Sequence, residues 1–189
     1  MCNIAIFASG SGSNAENIAK YFMQSPKVNI ALIATENPTA YVLERAKRLQ
    51  IPTYQFSMED LKKGSVLLKL IEMKIDLIVL AGFLKMVPSE MVQHFNNRII
   101  NIHPALLPKY GGKGMYGDRV HKAVIAAGEK ESGITIHYVN EHYDEGDIIF
   151  QARCPVLPTD TPETLAQRVH ELEWQYYPKV IETLLEKLG

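Results

Sequence analysis

The chain has 189 residues and a formal net charge of −1 at pH 7, with 20 basic and 21 acidic residues. This length fits one ordinary domain, so we expect a single domain over residues 1–189. No run of like charges suggests a nucleic-acid arm, and the longest apolar stretches are far below the roughly 20 residues of a membrane span. We therefore expect neither nucleic acid nor a membrane as a partner.

The first residues, MCNIAIFASG, enter a strand directly, without a basic region followed by a long apolar segment. Cys2 and Cys154 have neither the density of a disulfide framework nor the spacing of metal ligands. We therefore expect a cytoplasmic protein without a signal peptide.

Strand-like and helix-like patterns alternate along the chain. Short apolar runs bounded by turn residues predict strands at 3–8, 28–35, 52–56, 76–83, 98–103, 133–140 and 147–157. Helices are predicted at 14–22, 37–50, 57–73, near 118–128 and from 161 to the end. Pro38 opens the second helix, Ser57 and Asp60 form a capping box for the third, and Thr161 caps the last, which Pro178 should kink or split.

The order of these elements predicts the fold. Continuous apolar strands separated by helices indicate a doubly wound α/β fold, a mostly parallel sheet with helices on both faces. The last two strands are joined only by EHYDEG (141–146), which is too short for a parallel crossover. We therefore expect that pair to be antiparallel and the sheet to be mixed.

The loop SGSGSN (9–14) follows the first predicted strand. Its small residues leave backbone N–H groups uncovered at a helix N-terminus, where a phosphate can bind. It lacks the third glycine of the dinucleotide-binding pattern and the lysine of a P-loop. From these residues alone the loop is either a tight turn capped by Ser or Asn or a monophosphate site.

The stretch RIINIHPALLP (98–108) carries two polar side chains at the end of an apolar strand. Asn101 and His103 point to the same side because side chains alternate along a strand. Both lie at the carboxyl end of the strand, where open α/β sheets bind ligands. An amide and an imidazole can stabilise an oxyanion, and the imidazole can also supply a proton. The alternative is a hydrogen-bonded polar pair without a catalytic role.

Two further loops could complete such a site. NEHYDEGDII (140–149) is either a solvated hairpin or the source of a carboxylate that raises the pKa of His103. AGFLKMVP (81–88) either packs in the core or lines an apolar slot whose backbone groups bind a heterocycle. The remaining histidines show no metal-ligand spacing, so no metal is predicted.

Together these motifs resemble the folate-dependent formyltransferases. They occur in the order S-G-x-G-S-N, A-G-F, N-I-H-P-x-L-L-P and a late D-x-G, and the resemblance covers essentially the whole chain. The third motif is specific to the wider family. The first motif, without an appended domain, is typical of the branch that acts on glycinamide ribonucleotide in purine synthesis.

The resemblance implies roles for the residues that match the family's motifs. Three residues would be catalytic: Asn101, His103 and Asp144. The ribonucleotide would bind to Gly12, Ser13, Asn14 and Glu173, the last of which would otherwise be interpreted as a solvated helix residue. The folate would bind to Leu84, Lys85, Met86, Val87, Asn101, Asn140, Glu141, His142, Tyr143 and Asp144.

The reaction implied by the resemblance is acyl transfer, with 10-formyltetrahydrofolate as co-substrate and no metal. The glycinamide amine attacks the formyl carbon, and Asn101 with protonated His103 stabilises the tetrahedral oxyanion. Asp144 keeps His103 charged and helps, through water, to move a proton from the amine to the folate nitrogen. The partners would be small molecules, and the chain would be a monomer or a homodimer.

Some features depart from the family pattern. Ala105 stands where many relatives have Ser, and the Gly-rich segment 111–120 is longer than usual and should form a mobile loop beside the site. Lys62 and Lys63 lie where some relatives contact folate, but this region aligns poorly and neither is assigned. The sequence stops at the final predicted helix, so we expect no C-terminal extension of the kind that some members carry.

Other functions remain possible at this point. A formyltransferase acting on methionyl-tRNA should carry a further domain and a basic surface. A formyltetrahydrofolate hydrolase should carry an N-terminal regulatory domain. A sugar-nucleotide formyltransferase should be longer than this chain. A non-catalytic nucleotide-binding module is the alternative from another class. Only the convergence of the three polar residues would separate an enzyme from such a module.

Overall fold

A computed structural model describes residues 1–188, and the chain divides into two compact units, residues 1–100 and 101–189. The boundary falls within strand β5 (Ile99–His103). The first unit is built on parallel strands, and the second contains an antiparallel pair. The mixed strand directions predicted from the connection lengths are therefore confirmed.

The first unit alternates strands and helices. Its elements are β1 (Cys2–Phe7), α1 (Ser13–Phe22), β2 (Val28–Thr35), α2 (Val42–Arg48), β3 (Thr53–Gln55), α3 (Met58–Lys63), α4 (Ser65–Glu72), β4 (Leu77–Leu80) and α5 (Ser89–His94). The strand order is β3-β2-β1-β4, so the order reverses beside β1. In open α/β sheets a ligand binds at the carboxyl ends of the strands at such a reversal.

Local turn chemistry explains where these helices differ from the prediction. Helix α2 begins at Val42 rather than near residue 37, because the Asn37 side-chain oxygen accepts hydrogen bonds from Thr39 and closes a turn first. The predicted helix 57–73 begins with its capping box but breaks at Gly64, where φ is +87°. The sequence prediction contains no counterpart of the short helix α5.

The second unit contains the rest of β5, followed by α6 (Asp118–Ala126), β6 (Glu131–Tyr138), β7 (Ile148–Pro155) and α7 (Pro162–Leu188). The strand order is β5-β6-β7, with β6 and β7 antiparallel. Two glycines allow close backbone approach: a Cβ at Gly133 would lie 1.9 Å from the Ala152 carbonyl oxygen, and one at Gly146 would lie 1.6 Å from that of Tyr138. Gly146 therefore holds the loop between β6 and β7 tightly at its base, and Gly133 allows the two strands to approach at their other end.

Helix α7 begins as predicted, with the Thr161 hydroxyl accepting a hydrogen bond from the Thr164 N–H. It continues through Pro178 as one helix, so the predicted split is not found. A proline removes only one helical hydrogen bond, and α7 packs a stripe of buried residues against α6, β6 and β7. Within residues 1–188 no helix is long and apolar enough to cross a membrane.

Candidate active site

Asn101 and His103 lie at the carboxyl end of β5, as the sequence predicts. The two isoleucines that alternate with them, Ile100 and Ile102, are buried in the core. His103 is only 3% exposed, so its imidazole is largely removed from solvent. An imidazole buried to this extent requires polar partners, because an unpaired polar group in the interior costs free energy.

Both ring nitrogens of His103 have polar neighbours. Nε2 donates to the backbone carbonyl oxygen of Tyr110 at 2.7 Å. Nδ1 lies 3.6 Å from Oδ2 of Asp144, whose side chain is 11% exposed. The same Oδ2 accepts a hydrogen bond from the Gly112 N–H at 3.0 Å. Asp144 thus connects β5 to the Gly-rich segment that follows it, and it does so from a left-handed backbone conformation with φ +56°.

A fourth residue, His137 on β6, completes the cluster. Asn101 Nδ2 donates to His137 Nε2 at 3.2 Å, and His137 Nδ1 donates to the Tyr138 carbonyl oxygen at 2.9 Å. His137 Nε2 also lies 3.6 Å from Asp144 Oδ1. The three residues predicted as catalytic therefore converge, joined through a histidine that sequence reasoning missed. The missed signal was Thr135 and His137, two polar residues at alternate positions in a buried strand.

Thr135 holds the loop that follows β5. Its hydroxyl donates to the Ala105 carbonyl oxygen at 2.7 Å and accepts from the Leu107 N–H at 3.0 Å. The Gln151 amide donates to the Leu107 carbonyl oxygen at 3.0 Å. These bonds satisfy buried backbone groups that no regular element pairs, and they fix the path of the chain towards Tyr110.

Burial and the neighbouring carboxylate act in opposite directions on the pKa of His103. Burial lowers the pKa of His103 below its ordinary value, and the opposing effects of Asp144 and the Tyr110 carbonyl do not offset it. Burial acts to raise the pKa of Asp144, but interactions with His137 and His103 outweigh it and the net pKa is lowered. In the unliganded cluster the net shifts favour an ionised Asp144 and a neutral His103, while Asp144 acts in the predicted direction by favouring the charged imidazole.

Glu173, on α7, is buried rather than solvated, with 5% of its surface exposed. Its Oε2 accepts a hydrogen bond from His170 Nδ1 at 3.0 Å, and this bond raises the pKa of His170. The His170 ring also stacks on Trp174, with ring centroids 6.0 Å apart. Glu173 acts on His103 as well, because its negative charge favours the protonated imidazole. Glu173 is therefore a buried carboxylate whose charge acts on the cluster, and its contact with a substrate stays a prediction.

In the first unit, the glycine turn before α1 is set by Gly12. This residue is the N-cap of α1, with φ +73°, and a Cβ there would lie 2.2 Å from Cγ2 of Val42. Only glycine fits both the conformation and the contact. Because a glycine N-cap has no side chain to accept from the first-turn N–H groups, the predicted alternative of a Ser or Asn cap does not apply at this position. Ser13 and Asn14 begin the helix itself.

The turn is held from outside by Arg45 of α2. Its Nε donates to the Ser11 carbonyl oxygen at 2.7 Å, and its Nη1 donates to Glu16 Oε2 at 2.5 Å. Hydrogen bonds from Lys20 and then Arg45 lower the pKa of Glu16 to about 2. The Ser11 carbonyl therefore points towards α2. Its direction is fixed because the Arg45 guanidinium contacts both this carbonyl and Glu16.

The strand-four loop is hydrogen-bonded to the same turn. Ser9 N–H donates to the Gly82 carbonyl oxygen at 3.0 Å, and Leu84 N–H donates to Ser9 Oγ at 3.1 Å. Leu84 and Met86 are 46% and 45% exposed, and Lys85 is exposed as well, so apolar surface lies open here. Val87 is buried and belongs to the core instead.

The remaining predicted contacts lie in loops or on α3. His142 and Glu141 are exposed, Asn140 and Tyr143 are half-buried, and Asn140 Oδ1 accepts from the His142 N–H at 2.8 Å. On α3, Lys63 pairs with Glu59, and the structure gives no reason to assign Lys62 or Lys63 to a ligand. In the described part of the chain no group of His, Cys, Asp or Glu side chains could hold a metal ion.

Comparisons with known proteins place this geometry in a family. The family model for formyl transferase matches residues 2–181. Phosphoribosylglycinamide formyltransferase of Bacillus subtilis is 38% identical over 191 residues, which cover 98% of this chain and 95% of that protein. The chloroplastic enzyme of the same name from Vigna unguiculata is 42% identical over 97% of this chain. The chain spans only 61% of the Vigna protein and 65% of its Arabidopsis thaliana counterpart.

Solved structures agree with these relatives. Phosphoribosylglycinamide formyltransferase from Anaplasma phagocytophilum has a TM-score of 0.89 at 36% identity, covering 98% of this chain and 88% of that one. Glycinamide ribonucleotide transformylase 1 from Symbiobacterium toebii has a TM-score of 0.90 at 32% identity, covering 99% and 89%. These scores confirm the predicted formyltransferase-type α/β fold. The chain belongs to the formyl transferase family.

Proposed function

We propose that this protein transfers the formyl group of 10-formyltetrahydrofolate to the glycinamide amine of 5′-phosphoribosylglycinamide, a step of purine biosynthesis. The observation that carries the proposal is the convergence of Asn101, His103, His137 and Asp144 in the second unit. A non-catalytic module has no need of an ionised carboxylate and a buried histidine in mutual contact. The names of the relatives at 38–42% identity support the choice of acceptor.

The chemistry is direct acyl transfer. The amine nitrogen bonds to the formyl carbon, the carbonyl oxygen becomes an oxyanion, and the bond from that carbon to N10 of the folate then breaks. An asparagine amide nitrogen has two N–H donors, and Asn101 gives one of them to His137. The second N–H would stabilise the oxyanion, in a setting where burial strengthens electrostatic interactions.

The proton must travel from the attacking amine to N10, and Asp144 is the group suited to receive it. The carboxylate is ionised because its neighbours lower its pKa, so it can accept a proton from the amine through a water molecule. His103 begins neutral and would receive this proton from Asp144 at Nδ1 while the oxyanion exists, and it would release the proton for transfer to N10 as the bond from the formyl carbon to N10 breaks. This timing favours the transition state over the bound substrate, which is the requirement for raising kcat.

The remaining assignments follow the family's motifs. The phosphate of the ribonucleotide would bind to the backbone of Gly12, Ser13 and Asn14 at the start of α1, and Glu173 would contact the glycinamide end. The folate would bind to the backbone of residues 84–87 and to the loop of residues 140–144. We further propose that residues 1–189 act as one formyltransferase domain on small molecules in the cytoplasm, as a monomer or homodimer.

One assay tests the function. Purified protein is mixed with 10-formyltetrahydrofolate and glycinamide ribonucleotide, and tetrahydrofolate formation is followed by absorbance. We expect turnover with the ribonucleotide and none when water or methionyl-tRNA is the only acceptor. Turnover with water alone would instead identify a hydrolase, and binding of a nucleotide without turnover would favour a non-catalytic module.

A further inference from the structure

Tyr110 links the reacting histidine to a residue outside the cluster. Its backbone carbonyl accepts the hydrogen bond from His103 Nε2 at 2.7 Å, while its hydroxyl donates to Glu129 Oε1 at 2.8 Å. Glu129 follows the end of α6 and also pairs with Lys109 at 3.2 Å. One side chain therefore anchors the residue whose main chain contacts the imidazole.

We propose that Glu129 and Tyr110 form a positioning pair that fixes the tautomer of His103, so that the proton gained and lost during the reaction is carried at Nδ1. This inference rests on the proposed function. A carbonyl oxygen can only accept a hydrogen bond, so Nε2 keeps its hydrogen in both the neutral and the charged imidazole. Nδ1 is then the nitrogen that titrates, and it lies on the side of Asp144.

The carbonyl needs an anchor because of its backbone conformation. Tyr110 has φ +57°, a left-handed conformation that is uncommon for a residue with a side chain. It is followed by Gly111 and Gly112, which restrict the main chain little. If the hydroxyl contact to Glu129 is lost, the peptide of Tyr110 can turn away and free Nε2, and His103 can then adopt the other tautomer.

Other groups near His103 stay in place when this pair is changed. They are Asp144 from the loop after β6, His137 from β6, Glu173 from α7 and His121 from α6. Asp144 and Glu173 favour the charged imidazole, and the two histidines disfavour it. A change in the pH dependence of kcat on altering Glu129 can therefore be assigned to the Tyr110 carbonyl.

The kinetic test compares four variants. We expect Tyr110→Phe and Glu129→Ala each to lower kcat about 3- to 10-fold, the scale of one lost hydrogen bond, and to shift its pH profile, with KM for both substrates unchanged. Glu129→Gln keeps an acceptor oxygen for the hydroxyl and should recover most of the rate. Lys109→Met removes the other partner of Glu129, on a side chain that is 70% exposed, and serves as the matched control with wild-type kinetics.

A spectroscopic test reads the tautomer without relying on activity. In protein with ¹⁵N-labelled histidine, NMR distinguishes protonated from bare ring nitrogens, and the His103 signals are identified by their loss in His103→Asn. We expect Nε2 to be protonated and Nδ1 bare in the wild type, and a mixture of tautomers in folded Glu129→Ala. His137, which donates through Nδ1, should show the opposite pattern and provide an internal reference.

The two tests separate a positioning role from a structural one. An unchanged His103 tautomer in folded Glu129→Ala and Tyr110→Phe would overturn the proposal, whether or not kcat fell. If the wild type proved inactive as a formyltransferase, the proposed function would fail while the NMR experiment still decided the tautomer. A shifted tautomer with a shifted kcat pH profile would support the whole inference.

Discussion

The candidate sites of the two units are built from different chemical groups. In the second unit, the cluster consists of buried side chains that interlock through β5, β6 and the loop after β6. In the first unit, the candidate sites consist of backbone groups, at the glycine turn before α1 and in the loop after β4. The cluster can change its charge during a reaction, whereas a backbone N–H group cannot.

This difference predicts which kinetic parameter, kcat or KM, a mutation in each unit should change. Substitutions in the side-chain cluster should change kcat, because their interactions strengthen as charge develops. Substitutions around the backbone sites should change KM, because a fixed N–H group would bind a phosphate equally in the ground state and the transition state. The predictions below test that division, beginning with the largest expected effect.

Removing the proposed oxyanion donor, Asn101, should have the largest effect. We expect Asn101→Ala to lose roughly 10²–10³ in kcat, the scale of one oxyanion donor, and His103→Ala to lose at least about as much. Substrate affinity should change little in both variants, and thermal stability should change little in Asn101→Ala but fall in His103→Ala, which empties a buried site and leaves the Tyr110 carbonyl unpaired. Steady-state kinetics, folate titration and thermal unfolding measure the three quantities, and a large loss of stability with near-normal kcat would mean that these residues form only a structural polar pair.

Removing the charge of Asp144 should have the next largest effect. Asp144→Asn nearly preserves shape but removes the proton acceptor, so we expect kcat to fall about 10²-fold, the lower range for general acid–base catalysis. In the triple variant that adds Asn101→Ala and His103→Ala, the fall in kcat should be much smaller than the product of the three single effects. The reason is that the three groups act on one charge and one proton. Near-wild-type turnover in Asp144→Asn would remove the carboxylate from the mechanism.

The glycine turn should respond through binding. Gly10 is exposed and a Cβ there would meet no atom within 4 Å, so Gly10→Ala should fold normally. We expect its KM for glycinamide ribonucleotide to rise about 3- to 10-fold, the range for one weakened hydrogen bond, with folate affinity unchanged. Equal weakening of both ligands in calorimetry would show that the turn is structural. Gly12→Val cannot make this distinction, because the Cβ alone would clash with Val42 and disturb folding.

The Arg45 clamp should have a smaller effect on the same site. Arg45→Met removes the hydrogen bonds to Ser11 and Glu16 but keeps much of the aliphatic stem. Because the contact is partly exposed, we expect KM for the ribonucleotide to rise by no more than about 5-fold, with kcat unchanged. Glu16→Gln, which keeps an acceptor for Arg45, is the matched control. A fall in kcat without a change in KM would contradict the division between the two units.

The pH dependence of stability should distinguish two histidines of the second unit. The pKa of His103 is lowered by burial, so its contribution to stability is complete above the unfolded pKa of about 6.5 and is lost as the pH falls below that value. The pKa of His170 is raised by Glu173, so its contribution is complete below about 6.5 and is lost as the pH rises through the folded pKa.

Urea unfolding at several pH values between 5 and 8 measures this difference. His103→Asn should lose less stability than the wild type on acidification from pH 7 to pH 5. His170→Asn should lose more over the same range, because a contribution that grows on acidification has been removed. If the free energy of unfolding changed with pH in the same way in the two variants, the assigned directions of the two pKa shifts would be contradicted.

Sequence patterns predict the elements whose signals are local. The apolar run that ends at Pro104 fixes β5 to within one residue, and the short EHYDEG connection predicts the antiparallel pair correctly. The start of α2 was misplaced because the Asn37 side chain closes a turn that Pro38 alone does not reveal. Such an error arises because a side chain can close a turn where the sequence pattern predicts a helix. It changes the bounds of one helix and does not affect the predicted order of strands and helices along the chain.

The site is predicted less completely, because its properties depend on contacts distant in sequence. Asn101, His103 and Asp144 carry recognisable motifs, but His137 matters only because β6 lies beside β5. The burial of Glu173 comes from the packing of α7 and cannot be read from a helix of mixed polarity. The net pKa shift of His103 depends on packing in the same way, since burial outweighs the effect of the nearby carboxylate.

The stacking of Trp174 on His170 gives the protein an internal optical reporter. Trp174 is the single tryptophan of the chain, and its indole is 42% exposed beside the imidazole that donates to Glu173. Indole emission responds to charge and polarity near the ring, so a ligand that takes Glu173 away from His170 should alter the fluorescence directly. Occupancy of the acceptor end can then be followed in real time without a label, and even in variants that no longer turn over.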